Sequence, residues 1–278
     1  MRVWDVAAGF TLKHLVEEVP IEDMNFLEWH PTAPLFLTGG KDYMIWMVSA
    51  TSGKVMNSFT GHEAEVTLAC FTLVDNGKQI LSCSADKTVR LWNPAKGEGI
   101  MTTKNGSHKM PYHEDEILCM ALHPSRPLVL TGGADGSVYG AHYVTGESSG
   151  KVGMHKDSVE AVALSEELQI AASAGIDNEI FIYDLKNLSI RHKVQPTQYG
   201  GFSKLMFSTI RVSKDGSGER IILLYAASTM GEMFLIDVRS GEVVKGFKGH
   251  AAFINFFVEV KQREWLVTAG DDNQCNVF

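Results

Sequence analysis

The chain has 278 residues, 45% hydrophobic and 21% charged, with a net charge of −8. That length buries a substantial core, while no apolar run reaches the roughly 18 residues of a membrane span and MRVWDVAAGF lacks the continuous apolar stretch of a signal peptide. The negative balance argues against direct nucleic-acid binding and for a basic partner, and four scattered cysteines (Cys70, Cys83, Cys119, Cys275) without a C-x-x-C pair read as buried reduced thiols.

Taken in chain order, the predicted elements repeat. RVWD opens on a strand and TLKHL, Thr11–Leu15, is a second. LFLTGGKDYMIWMV, QILSCSADKTVRLWN, LVLTGGADGSVYGAHY, IAASAGIDNEIFIYDL and WLVTAGDDNQCNVF then each give a short apolar strand, a small-residue turn with Asp, and another apolar strand. LLYAASTMGEMFLIDV is a weaker copy with Met230 at the Asp position. The position six residues after the turn Asp falls at Val48, Trp92, Ala141, Tyr183, Ile236 and Phe278, with Trp4 as a partial predecessor. The gaps are 44, 44, 49, 42, 53 and 42 residues. TTKNGSHKMPYHEDE lengthens one connection and SKDGSGER one hairpin. No long segment carries a helical period.

Four residues before each turn Asp lies a hydroxyl: Thr38/Asp42, Ser82/Asp86, Thr131/Asp135, Ser173/Asp177 and Thr268/Asp272. Histidines His62, His113, His155 and His250 precede their repeats at similar spacing. Ser, His and Asp could make a hydrolase, with Ser82, His62 and Asp86 as its triad. A triad occurs once, however, whereas this constellation recurs repeat after repeat. A recurring constellation serves the repeat.

On these residues the chain resembles the WD40 family, whose repeats of about 40–45 residues are four-stranded propeller blades. The resemblance implies an all-β WD40 β-propeller spanning residues 1–278 as a single domain. It also implies a buried network in which Asp orients the histidine, the histidine bonds the hydroxyl, and the hydroxyl reaches the Trp N–H. The full set maps onto His62, Ser82, Asp86 and Trp92, and partial sets onto His113, Thr131 and Asp135, onto His155, Ser173 and Asp177, and onto His250, Thr268 and Asp272. Six full repeats follow a partial N-terminal blade. The expectation is a truncated seven- or eight-bladed propeller; the other reading is a six-bladed ring closed by Thr11–Leu15.

A narrower resemblance rests on DMNFLEWHPTAPLFLTGGKD, LTGGADGSVYGAHYVTGE and the final FKGHAAFINF to LVTAGDDNQCNVF. These are similar to the angio-associated migratory cell protein subfamily and to its fungal ribosome-assembly relative. This resemblance implies a non-catalytic, monomeric protein-binding scaffold, cytoplasmic with a nuclear share. Its expected role is as chaperone or escort of a basic large-subunit ribosomal protein in 60S assembly. A generic WD40 adaptor, in signalling, cell migration or a ubiquitin-ligase complex, is the rival.

The connections entering each repeat's first strand supply the chemistry for a basic partner. They carry Glu17, Glu18, Glu22 and Asp23, then Glu63 and Glu65, then Glu114, Asp115 and Glu116, then Asp157 and Glu160, with Lys109 and Lys156 interrupting. An acidic arc of one face attracts Lys/Arg-rich segments. Trp46, Phe59, Tyr112 and Phe253 are candidate aromatic anchors or core. His108 and His113 beside Glu114 and Asp115 read as a polar loop rather than a metal site. No phosphate-loop pattern is present and no cofactor is expected.

Overall fold

In the computed structural model, the described residues are 1–5, 8–9, 11–19, 23–103, 112–197, 200–212, 219–260, 263 and 265–278. Among them the elements are 25 β-strands, with no helix. β1 (Arg2–Asp5) and β2 (Thr11–Leu15) pair only with each other, as a hairpin. Blade 1 is β3 (Met24–Trp29), β4 (Leu35–Gly40), β5 (Ile45–Ser49) and β6 (Val55–Phe59). Blade 2 is β7 (Val66–Phe71), β8 (Ile80–Ser84), β9 (Val89–Asn93) and β10 (Glu98–Thr103). Blade 3 is β11 (Ile117–Leu122), β12 (Leu128–Gly133), β13 (Ser137–His142) and β14 (Glu147–Met154). Blade 4 is β15 (Val159–Ser165), β16 (Ile170–Gly175), β17 (Ile180–Asp184) and β18 (Ser189–Val194). Blade 5 is β19 (Phe202–Val212), β20 (Glu219–Ser228), β21 (Glu232–Asp237) and β22 (Val243–Lys248). Blade 6 has three strands, β23 (Ile254–Val260), β24 (Trp265–Gly270) and β25 (Cys275–Val277).

Each blade is a sequential antiparallel meander, the propeller-blade architecture the repeats predict. The reading of Thr11–Leu15 as the strand that closes the last blade is not met in the strand pairing: among the described strands it pairs with Arg2–Asp5, and blade 6 has three strands. The chain groups into two compact units. One is residues 1–118, 122–129 and 141–150; the other is residues 119–121, 130–140 and 151–278. The strands of blade 3 are divided between them.

The burial of each strand follows from its composition. The second strands, ILSCS of β8 and IAASAG of β16, are buried along their whole length, so apolar and small residues run without alternation. Outer strands such as β22, VVKGFK, face solvent. Within the first unit, blades 1 and 2 share a core of Phe26, Leu37, Ile45, Phe59, Val66, Ile80 and Trp92. Within the second, Ile170, Ile182, Phe202, Leu224 and Ile236 do the same for blades 4 and 5. Burying one such side chain stabilises the fold by about 1.5–3 kcal/mol.

Two regularities lie beneath the sequence repeat. The first concerns the turn between second and third strands. In all six blades the residue after the turn-Asp position has positive φ: Tyr43 (64°), Lys87 (68°), Gly136 (74°), Asn178 (63°), Gly231 (81°) and Asn273 (60°). Gly and Asn adopt this region readily, while Tyr and Lys do so at a cost. The second concerns the innermost strands, where the register skips Asn25, Thr67, Glu160, Ser203 and Asn255, leaving each in a bulge. A bulge re-aims a side chain. Asn25 Nδ2 donates to Val66 O at 2.9 Å, Thr67 Oγ1 to Ile117 O at 2.7 Å, and Ser203 Oγ to Ile254 O at 2.5 Å. Cys119 Sγ, near the start of β11, does the same to Val159 O at 3.4 Å. Each is a hydrogen bond from the first strand of one blade to the first strand of the next.

The outer strands carry a matching set. His14 Nε2 donates to Thr51 O at 2.7 Å, Asn57 Nδ2 to Pro94 O at 3.1 Å, and His192 Nε2 to Arg239 O at 3.0 Å. Each joins an outer strand to the last hairpin turn of the following blade.

Candidate functional site

The network expected from the resemblance is complete in blade 2. His62 Nδ1 donates to Asp86 Oδ2 at 2.8 Å, and Ser82 Oγ donates to His62 Nε2 at 2.7 Å while accepting Trp92 Nε1–H at 2.8 Å. Thr88 N and Oγ1 donate to the other carboxylate oxygen at 2.9 and 2.5 Å. Burial pulls the Asp86 carboxyl upward, but the hydrogen bonds from His62 and Thr88 outweigh it and hold the group well below the usual carboxylate range. Ser82 is fully buried and its hydroxyl is engaged on both sides, so it has no approach for a substrate carbonyl.

Other blades keep the logic with different parts. In blade 4, His155 bridges Asp177 (3.1 Å) and Ser173 (2.7 Å), and Tyr183 Oη meets Ser173 Oγ at 2.6 Å where Trp92 stands in blade 2. In blade 6, His250 bridges Asp272 (2.9 Å) and Thr268 (2.7 Å), and Phe278 offers no donor. In blade 3, His113 and Thr131 are fully buried and Asp135 caps the Ser137 amide at 2.8 Å. Blade 1 has no such histidine. There Thr38 Oγ1 donates to Phe26 O at 3.0 Å, and Asp42 accepts the Trp46 Nε1–H at 2.7 Å. In blade 5, where Met230 replaces Asp, Ser228 Oγ accepts the amides of Met230 and Glu232, both at 3.1 Å. Serine two residues upstream thus caps the turn in place of the carboxylate.

The acidic connections fall into separate groups. Asp23 pairs with Lys41 at 2.8 Å, and Asn25 bridges to Glu65 at 2.6 Å; the Asp23 hydrogen bond and charge raise the Lys41 pKa, with Glu65 adding to it. Glu63 is exposed, with its amide on Asp86. Glu114, Asp115 and Glu116 are all exposed, and Lys87 reaches the Glu114 carbonyl at 2.7 Å and the Asp115 carboxylate at 3.8 Å. In the second unit Asp157 is exposed, Glu160 accepts Ser158 Oγ at 2.7 Å, and Lys156 pairs with Glu179 at 2.8 Å. Glu17 is exposed; Glu18 is turned onto the outer strand, accepting the Val55 amide at 3.2 Å. Glu22, His108 and Lys109 lie outside the described residues.

Lysines from neighbouring turns therefore answer two of the groups, Lys41 at Asp23 and Lys87 at Asp115, while Lys156 is drawn to Glu179 instead. Such exposed pairs contribute little to stability, but they temper the local field. Of the aromatic candidates, Phe59 and Tyr112 are buried, and Trp46 is half-buried on Asp42. Cys83 and Cys119 are buried as expected, but Cys275, on the outer strand of a three-stranded sheet, is exposed. Burial pushes the Cys83 thiol up to about 12. No group of three or more metal-ligating side chains stands together among the described residues, and no helix there is long and apolar enough to cross a membrane.

The family model for the WD domain, G-beta repeat, matches residues 53–93 and 106–139. Human angio-associated migratory cell protein is 27% identical over 293 residues, covering 100% of this chain and 62% of its own length, and the Canis lupus familiaris protein matches equally. An uncharacterized WD repeat-containing protein of Schizosaccharomyces pombe is 26% identical over 234 residues, 83% of this chain and 56% of its own. The periodic tryptophan protein 2 homolog of Dictyostelium discoideum is 25% identical over 236 residues, 82% of this chain and 24% of its own. The chain thus spans less than two thirds of the length of these relatives.

Proposed function

We propose that this chain of WD40 repeats is a non-catalytic scaffold that holds a basic protein segment on the carboxylates of its blade connections. Its client would be a basic large-subunit ribosomal protein, escorted through cytoplasm and nucleus toward the 60S particle. The observation carrying this reading is the run Glu114, Asp115, Glu116 at the entry to β11: three consecutive exposed carboxylates, with Lys87 reaching the Glu114 carbonyl and the Asp115 carboxylate. Clustered carboxylates raise the local concentration of Lys/Arg-rich segments and speed their capture. The matches to the WD domain, G-beta repeat, support a binding role rather than an enzymatic one, as does the occlusion of Ser82.

The test is fluorescence anisotropy with a Lys/Arg-rich peptide at low and high salt. Binding should weaken as salt screens exposed charges, and the triple reversal Glu114→Lys, Asp115→Lys, Glu116→Lys should abolish it. Undiminished binding by the reversal overturns the acidic-face reading. Affinity purification with mass spectrometry identifies the client. One dominant large-subunit ribosomal protein is expected, whereas signalling or ubiquitin-ligase components in its place would replace the escort with an adaptor.

A further inference from the structure

Met154 ends β14, the outer strand of blade 3, and is 54% exposed. Two side chains converge on its sulfur. Ser137 Oγ and Lys151 Nζ each donate to Met154 Sδ at 3.5 Å. A thioether is a weak acceptor, so a hydroxyl and an ammonium gain little from it as they stand.

The backbone that presents this sulfur is held on both sides. His155 N donates to Gly136 O at 2.8 Å. Gly153 is buried against Tyr183, where an added Cβ would lie 2.3 Å from Tyr183 Oη. The donors are placed as firmly. Ser137 is buried and its amide is held by Asp135 at 2.8 Å, while the Lys151 ammonium lies 5.7 Å from the centre of the Tyr139 ring. Hydroxyl, ammonium and sulfur therefore meet on a fixed frame, and the methionine is reachable from solvent.

We infer that Met154 is a site of reversible oxidation by hydroperoxides, with Ser137 and Lys151 placed to hold the oxygen it receives. The sulfur attacks the terminal oxygen of ROOH. The O–O bond breaks as the S–O bond forms, so the sulfur is oxidised by two electrons and the peroxide is reduced. The proton on the transferred oxygen passes to the departing alkoxide, which leaves as ROH (water, for hydrogen peroxide). Negative charge builds on the transferred oxygen in the transition state and remains in the S–O dipole of the sulfoxide. Two donors that faced a weak acceptor then face a strong one, and one of the donors is charged. Methionine sulfoxide reductases return such a sulfoxide to the thioether, which makes the step reversible. This inference is independent of the reading that the chain binds a basic segment.

Met56 and Met230 serve as internal controls. They are 58% and 54% exposed, and among the described residues no side chain donates to either sulfur.

The experiment treats the folded chain with dilute hydrogen peroxide at neutral pH and follows each methionine-containing peptide by mass spectrometry. Stabilisation of the transferred oxygen by these donors predicts that Met154 is oxidised about fivefold faster than Met56 and Met230. Lys151→Ala changes an exposed strand position, and circular dichroism checks that the variant folds. In it the Met154 rate should fall to within about twofold of the controls. In guanidinium chloride, where the frame is lost, the three methionines should react alike. Met154 reacting no faster than Met56 and Met230 in the intact chain overturns the site. An undiminished preference in the folded variant overturns the role given to Lys151. A preference that persists in guanidinium chloride belongs to the local sequence and overturns the site as well.

Discussion

Replacing Asp86 with alanine strips a carboxylate of four hydrogen bonds: from His62 Nδ1, Glu63 N, Thr88 N and Thr88 Oγ1. These losses are unequal. The Glu63 amide belongs to an exposed residue and turns to water. The His62 ring does not, because its side chain is 1% exposed and its other nitrogen is held by Ser82. Stranding a buried donor that faced a charged acceptor costs about 2–3 kcal/mol, and loosening the amide of the buried Thr88 adds up to about 1. The expectation is a loss of about 3 kcal/mol for Asp86→Ala, measured by urea unfolding at pH 7. Asp86→Asn, which keeps an acceptor, should lose about half as much.

Asp42→Ala is the internal control. Asp42 serves only the Met44 amide and the half-buried Trp46 N–H, so its removal should cost about 1 kcal/mol. The sign with pH follows from the lowered folded-state pKa of Asp86. Its contribution is present above the unfolded carboxylate range near pH 4 and is lost as pH falls through the folded value. The gap between wild type and Asp86→Ala should therefore close in acid. A loss below about 0.5 kcal/mol at pH 7, or one no larger than that of Asp42→Ala, refutes the network account.

Three further outcomes are expected. Gly231→Ala should destabilise by about 2–3 kcal/mol in the same unfolding assay, because φ is 81° and the new Cβ would sit 2.3 Å from His250 O; a neutral result would mean the turn relaxes freely. His155 has its pKa lowered, by burial first and against the pull of Asp177, so its ring should titrate below the ordinary histidine value by NMR, and stability should fall as pH drops below about 6.5; titration at or above 6.5 contradicts this. A thiol reagent at pH 7.5 should label Cys275 quickly in the native chain and leave Cys83 untouched until unfolding; labelling of Cys83 first would contradict its burial.

The repeat was legible in the sequence because its signals are local. The turn Asp, the hydroxyl four residues before it and the apolar strand after it all lie within a dozen residues, as in Ser82 to Trp92. The substitutes were harder to read. Ser228 sits where Ser84 already takes the amide of Asp86, and in blade 5 it also takes the Glu232 amide, the counterpart of the bond Thr88 gives to Asp86. Trp46 donates to Asp42 in a repeat whose sequence has no histidine at the matching position. The acidic connections were readable as composition, but their neutralisation was not. Lys41 and Lys87 reach them from turns 18 and 27 residues away in sequence. The hairpin formed by Thr11–Leu15 went to its nearest neighbour, which apolar patterning alone does not distinguish from a distant edge.

The side chains that join one innermost strand to the next have an asymmetry. Asn25, Thr67, Cys119 and Ser203 all give, and in every case what receives is a main-chain carbonyl. A carbonyl is present whatever side chain the codon specifies. Each of these junctions therefore exposes one residue to mutational risk rather than two, and that residue need only be small and able to donate. Amide, hydroxyl and thiol have each been accepted in the role. Copies of the repeat can diverge without a compensating change across the seam, which is how neighbours as dissimilar as blades 1 and 2 or blades 5 and 6 remain joined by the same kind of bond.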